Sequence, residues 1–293
     1  MSKINFVFFG TSHFAEIILE KLKENGLVPA LIVTGEDKPH GRGLALTPPP
    51  VKLWAQKNHI PIFQPKKMDS GFIGKLKIEN WDFFLLASYG KIIPSSVLTL
   101  PEKGTLNVHP SLLPKLRGPS PIQSAILNEN ETGVSIMLLD EEVDHGPVLA
   151  QKKVMSWDGL ASPKQSRSGP PYYSELETTL GEAGGNLLAE VVPKWIAGEI
   201  EVKEQDHSLA TFTKKITKED AHINLNDSPE TNLRKIRAYS DSPIAYTEIE
   251  TKKGKLRVKI KKAGIENDSL VLETVIPEGS KEMSWQDFSR GFL

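Results

Sequence analysis

The chain has 293 residues, 39% of them hydrophobic and 25% charged, with a formal net charge of -1; this is the balance of a folded protein of one large or two ordinary domains, with no global pull toward polyanions. Cysteine is absent, which excludes a disulfide framework, a thiolate nucleophile and cysteine-ligated zinc or iron–sulfur centres. The apolar start from Ile4 to Phe9 is too short for a secretory core, and nothing approaches the roughly 20 apolar residues of a membrane helix, so a cytoplasmic protein without a membrane role is expected.

Ile4 to Phe9 reads as a buried strand, Gly10-Thr11-Ser12 as a turn, and Phe14 to Leu22 as an amphipathic helix with Phe14, Ile17, Ile18 and Leu22 on one side. Further strands are expected at Ala30–Thr34, Ile60–Phe63, Phe83–Ala87, Thr105–His109 and Val134–Leu139, with helices at Val51–Lys57 and Pro121–Leu127. Short strands alternating with helices predict an α/β protein with a doubly wound, mostly parallel, Rossmann-like sheet up to about residue 155. Ser156 to Pro171 is rich in Ser, Pro and Gly and reads as loop, Tyr172 to Trp195 as helix, and Gly198 to His207 as polar linker. After Ser208, short alternating segments such as Leu256–Ile260 and Leu270–Val275 predict a small β-rich second domain. The expected division is therefore a catalytic domain over 1–189, a linker over 190–207 and a C-terminal domain over 208–293.

The most informative stretch is Asn107-Val108-His109-Pro110-Ser111-Leu112-Leu113-Pro114. Residues two apart on a strand share a face, so Asn107 and His109 point together, and Pro110 ends the strand. An amide donor beside an imidazole at a strand end suits chemistry at a carbonyl: one steadies an oxyanion, the other moves a proton. Asp140-Glu141-Glu142-Val143-Asp144-His145-Gly146 offers a carboxylate to orient that imidazole, or is a solvated acidic loop. A metal reading would recruit His109, Asp144 and His145, but no spaced ligand pair fixes a geometry, and no metal is expected. Gly10-Thr11-Ser12-His13-Phe14 lacks the glycine spacing of a dinucleotide fingerprint. Lys255, Arg257, Lys259 and Lys261 alternate with apolar residues and would form a basic stripe on one strand face, either a phosphate footprint or a solubilising edge. Lys38-Pro39-His40-Gly41-Arg42-Gly43 reads as a basic, glycine-rich loop, either a contact to a polyanion or a plain connection.

Together these segments resemble the methionyl-tRNA formyltransferases among the folate-dependent formyltransferases. The resemblance is carried by Phe9-Gly10-Thr11-Ser12-His13-Phe14-Ala15, Gly41-Arg42-Gly43, the Asn107–Pro114 run with Arg117-Gly118, Pro121-Ile122-Gln123, Thr132–Met137, Asp144-His145-Gly146 and the closing segment Pro277–Phe288. It implies transfer of a formyl group from 10-formyltetrahydrofolate to the α-amino group of methionyl initiator tRNA, by a monomer that needs no metal. It also implies catalytic roles for Asn107, His109 and Asp144, and a folate pocket at Ser111, Leu112, Leu113, Pro114, Leu138, Leu139 and Asp140. Contacts to tRNA would come from Lys38, Arg42 and the stripe Lys255, Arg257, Lys259 and Lys261, the last on an OB-like C-terminal domain. The chain departs from the family pattern at Ser12, where proline is usual, and at Leu44-Ala45-Leu46, where lysines are usual. The alternatives are an amino-sugar N-formyltransferase acting on a nucleotide sugar, and a folate- or tRNA-binding relative without activity.

Overall fold

The computed structural model describes residues 4–40, 45–157 and 169–293. In chain order the elements are β1 (Phe6–Gly10), α1 (His13–Glu24), β2 (Leu31–Val33), β3 (Lys38–His40), β4 (Ala45–Thr47), α2 (Pro50–Lys57), β5 (Ile62–Phe63), α3 (Ser70–Leu76), β6 (Phe83–Ala87), α4 (Ser95–Leu98) and β7 (Thr105–His109). There follow α5 (Pro121–Asn128), β8 (Glu131–Leu138), β9 (Val148–Ser156), α6 (Tyr173–Ile196), α7 (Pro229–Ala238), β10 (Tyr246–Thr251), β11 (Gly254–Glu266), β12 (Ser269–Pro277), β13 (Met283–Ser284) and α8 (Trp285–Phe292). They fall into two compact units, the first made of residues 1–119, 133–154 and 178–212, the second of 120–132, 155–177 and 213–293. Among the described residues no helix is long and apolar enough to cross a membrane.

The first unit is organised by a seven-stranded sheet in the order β5-β2-β1-β6-β7-β8-β9. The pairings from β5 to β7 are parallel, and β8 joins β7 antiparallel. The central strands are near-continuous apolar runs because both faces of a parallel sheet are covered. Phe6 and Phe83 stack across β1 and β6 at 4.8 Å, and Phe9 meets Phe84 and Tyr89. Chain order reverses between β1 and β6, so the carboxyl ends of these strands open onto a topological switch point, where ligands of open α/β sheets bind. Thr11 closes that crevice: its amide donates to Ser88 O at 3.2 Å and its hydroxyl to Tyr89 O at 3.1 Å.

Helix α6 approaches the sheet closely. A Cβ added at Gly184 would stand 2.8 Å from Val108 Cγ1, so any side chain there would push on the strand that carries Asn107 and His109. The expected linker needs correcting over its length. Residues 190–196 continue α6, Lys203 and Val148 exchange backbone hydrogen bonds of 2.8 Å each, and Gln205 is buried. Gln205 is the buried polar side chain of this stretch, while Lys203, Glu204, Asp206 and His207 around it are exposed.

The second unit holds a four-stranded antiparallel sheet, β10-β11-β12-β13, with α7 against β11 and β12 and α8 against β12 and β13. The β-rich domain expected after Ser208 is there; the two helices were not foreseen. A register shift between Ile260 and Ala263 bends the long strand β11. The expected basic loop is also corrected: its ends Lys38–His40 and Ala45–Thr47 pair as a two-stranded hairpin.

Candidate active site

Strand β7 ends in Asn107 and His109, 5% and 4% exposed, with both side chains on one face as the spacing predicts. The pairing of His109 with Ser135 and of Asn107 with Met137 fixes their height on the sheet. His109 Nε2 lies 2.9 Å from the carbonyl of Leu116. A carbonyl only accepts, so Nε2 carries the proton and Nδ1 is the nitrogen turned toward Asp144. Nδ1 stands 3.6 Å from Asp144 Oδ1, and Asn107 Nδ2 stands 3.4 Å from the same oxygen. The other carboxylate oxygen accepts the Gly118 amide at 2.7 Å, a short charge-assisted bond that fixes the carboxylate plane.

Two loops hold this trio. The first leaves β7 through Pro110 and is tied down by polar groups that leave few options. Ser111 Oγ donates to Lys115 O at 2.6 Å, Ser135 Oγ donates to Ser111 O at 2.6 Å, and Gln151 donates to Leu113 O at 2.7 Å. Leu116 sits in the left-handed region at φ 60°, which turns its carbonyl toward His109. The second loop, after β8, carries Asp144 at φ 51° and is pinned at Gly146, where any Cβ would collide with the Leu138 carbonyl. His145 Nδ1 pairs with Asp140 at 2.7 Å, and its ring stacks on His207 at 4.1 Å between centroids.

The residues expected around a folate fall into place unevenly. Ser111 is fully buried and its hydroxyl is spent inside the loop. Leu113 packs with Met137, Val148 and Leu139, an apolar wall beside the trio. Leu112, Pro114, Leu138 and Asp140 are partly exposed, and Asp140 is engaged with His145. Among the described residues no group of three His, Asp or Glu side chains converges as a metal would require. Burial pushes the Tyr89 phenol up to about 12, so it keeps its proton at neutral pH. Asp206 is held below the usual carboxylate range, first by the Ser208 hydroxyl and then by the Ser208 amide.

Of the basic residues, Arg42 lies outside the described residues. Lys38 is exposed on the β3–β4 hairpin of the first unit. Lys255, Arg257 and Lys259 alternate along β11 in the second unit with the buried Val258 between them, whereas Lys261 falls at the register shift after the buried Ile260. The register adds what the sequence could not show: Glu250 stands opposite Lys255, and Glu248 opposite Arg257. Arg257 lies over the Tyr246 ring at 3.6 Å, and Lys261 Nζ donates to Ser240 O at 2.6 Å. Lys259 has an aromatic residue, Tyr246, opposite it on β10 where Lys255 and Arg257 have glutamates. Reading the sequence missed Leu116, Gly118 and Gln205 as supports of the trio. Arg117-Gly118 stood in a motif, but Gln205 sits in a polar stretch with no pattern to mark it.

The model of the formyl transferase family matches residues 2–159, and that of the formyl transferase C-terminal domain matches residues 215–269. A methionyl-tRNA formyltransferase of Dictyoglomus thermophilum is 37% identical over 312 residues, covering 98% of this chain and 96% of the relative. Among solved structures, a methionyl-tRNA formyltransferase from Clostridium thermocellum superposes with a TM-score of 0.60 at 16% identity, over 94% of this chain and 98% of its own. An N-formyltransferase from Helicobacter canadensis, solved with folinic acid and dTDP-3-aminofucose, superposes with a TM-score of 0.64 at 18% identity, over 90% and 88% of the two chains. At such identities the two superpositions speak for the fold alone.

Proposed function

The chain belongs to the methionyl-tRNA formyltransferase family, and from that premise we propose that it moves a formyl group from 10-formyltetrahydrofolate to the α-amino group of methionyl initiator tRNA. The observation that carries the reading is the meeting of Asn107 Nδ2 and His109 Nδ1 over one oxygen of Asp144 at the carboxyl end of β7. The whole-length relative at 37% identity supports the tRNA acceptor; the fold shared with a sugar enzyme decides nothing about substrate.

The neutral amine attacks the formyl carbon, and the carbonyl pair moves onto the formyl oxygen. Asn107 donates an N–H to that oxyanion, a type of contact worth about 10²–10³ in turnover. In the neutral ring, whose Nε2–H is donated to Leu116 O, His109 Nδ1 takes the proton of the attacking nitrogen. The imidazolium so formed lies 3.6 Å from the Asp144 carboxylate, which offsets its charge. His109 then returns the proton to the departing folate nitrogen as the carbon–nitrogen bond breaks and the carbonyl re-forms. The products are formylmethionyl-tRNA and tetrahydrofolate, and every proton is accounted for. Leu113, Met137, Leu139 and Val148 form the apolar wall against which we place the folate. Lys38, Arg42 and the β11 stripe are proposed to meet the tRNA backbone.

The test is formyl transfer from 10-formyltetrahydrofolate to methionyl initiator tRNA, with free methionine and a nucleotide-linked amino sugar as parallel acceptors. Transfer to the charged tRNA alone is expected. Transfer to the sugar alone overturns the acceptor while keeping the chemistry, and no transfer to any acceptor overturns both.

A further inference from the structure

We propose that Gln205 is a positioning residue for this reaction: its side-chain amide ties the loop that carries Asp144 to the buried Arg117 of the loop that holds His109. The proposal rests on the functional reading above for its kinetic part only.

Gln205 is 7% exposed and Arg117 3%. Gln205 Oε1 accepts from Arg117 Nη2 at 2.7 Å and from Arg117 Nε at 3.2 Å. Gln205 Nε2 donates to Gly146 O at 2.7 Å and to Asp144 O at 3.0 Å. The amide is thus fully used: two donated bonds on one side, two accepted on the other. Asparagine has the same groups on a shorter stem, and glutamate has no donor for the two carbonyls.

The arrangement acts on the trio through the backbone. Asp144 holds a left-handed conformation, and such a residue persists only where its surroundings over-determine it. Two bonds do so here: Gln205 on its carbonyl, and the Gly118 amide on its carboxylate. The same downstream segment reaches the other loop, since Thr211 Oγ1 accepts the Leu116 amide at 2.9 Å and Thr211 O accepts the Arg117 amide at 2.9 Å. Leu116 in turn sets the His109 tautomer. Arg117 is met by neutral groups, Gln205, His207 Nδ1 at 2.8 Å and the Phe212 face at 6.0 Å. A buried guanidinium so held cannot release its acceptor without a large desolvation penalty, which makes the contact durable.

Gln205→Ala and Gln205→Glu test the proposal. Glu retains an acceptor for Arg117, and so keeps the fold supported, but gives up both donors to the Asp144 loop. Both variants are expected to lower kcat about 10- to 100-fold, the scale of a misplacement near 1 Å, with KM for donor and acceptor within about threefold of wild type. In an Asp144→Asn background Gln205→Ala should cost less than about threefold, because residues acting through one another are not additive. Hydrogen exchange at the Gly118 amide, which needs no activity, should quicken at least tenfold in both variants. Unchanged kcat with unchanged Gly118 exchange, or losses that multiply fully in the double variant, overturns the proposal. If the wild type transfers no formyl group, the functional reading falls and the Gly118 exchange alone decides the positioning role.

Discussion

His109 meets the carbonyl of Leu116 with Nε2 and thereby presents Nδ1 to Asp144. That single bond decides which nitrogen can accept a proton, and two substitutions test it. His109→Gln can keep an N–H toward Leu116 O but has no basic nitrogen, and His109→Ala loses both. Each is expected to cut turnover by about 10²–10⁴, the usual worth of a positioned general base. Folate affinity, measured by direct binding, should stay within about threefold of wild type. Turnover of His109→Gln near the wild-type value would remove His109 from the proton path.

Gly184→Ala tests the packing behind the strand. The new methyl would crowd Val108 Cγ1 at 2.8 Å, and β7 cannot retreat because its neighbours on both sides are paired. Overpacking of this kind costs about 1–3 kcal/mol, against about 1 kcal/mol gained in helix propensity. A lower denaturant midpoint together with reduced kcat is expected, since Val108 lies between Asn107 and His109. A stabilised, fully active variant would refute this.

The register of β10 on β11 ranks the basic stripe. Lys255 faces Glu250 and Arg257 faces Glu248, whereas Lys259 faces Tyr246. Lys259→Ala should therefore weaken tRNA binding more than Lys255→Ala and make the salt dependence shallower by up to about one unit of slope. Equal, negligible effects in a salt titration would leave the stripe a solvated face of β11, which is an inner strand and not the edge the sequence also allowed.

Much of this was legible in the chain. Apolar runs such as Phe6–Gly10 and Phe83–Ala87 announce buried parallel strands, and the period-two spacing of Asn107 and His109 correctly puts them on one face. Helices α7 and α8 escaped because α7 is mostly polar and its apolar stripe is narrow, with Leu233 and Ile236 buried. The hairpin around Lys38–His40 escaped because glycine and proline hide the alternation of a strand. Gln205 escaped for a different reason: a buried polar side chain has no periodic signature, and its partners lie 59 to 88 residues away.

Acid should reveal a local support of the second unit. Asp220 is held below the usual carboxylate range, first by Lys214 Nζ at 2.5 Å and then by the Thr217 amide at 2.9 Å. Because its folded pKa is depressed, its contribution is whole above the unfolded value near 3.8 and fades as pH falls through the folded one. The stability gap between wild type and Asp220→Asn, measured by urea unfolding, should be constant from pH 7 to 5 and narrow below pH 4. A gap independent of pH would show that Asp220 acts through something other than its charge.

The bond from Gln205 to Arg117 spans 88 residues of sequence. A chain emerging from the ribosome makes Asn107, His109 and Asp144 long before it makes the amide that braces them. Competence for transfer is therefore a late acquisition of synthesis, reached only when the polar stretch beyond α6 has been laid down.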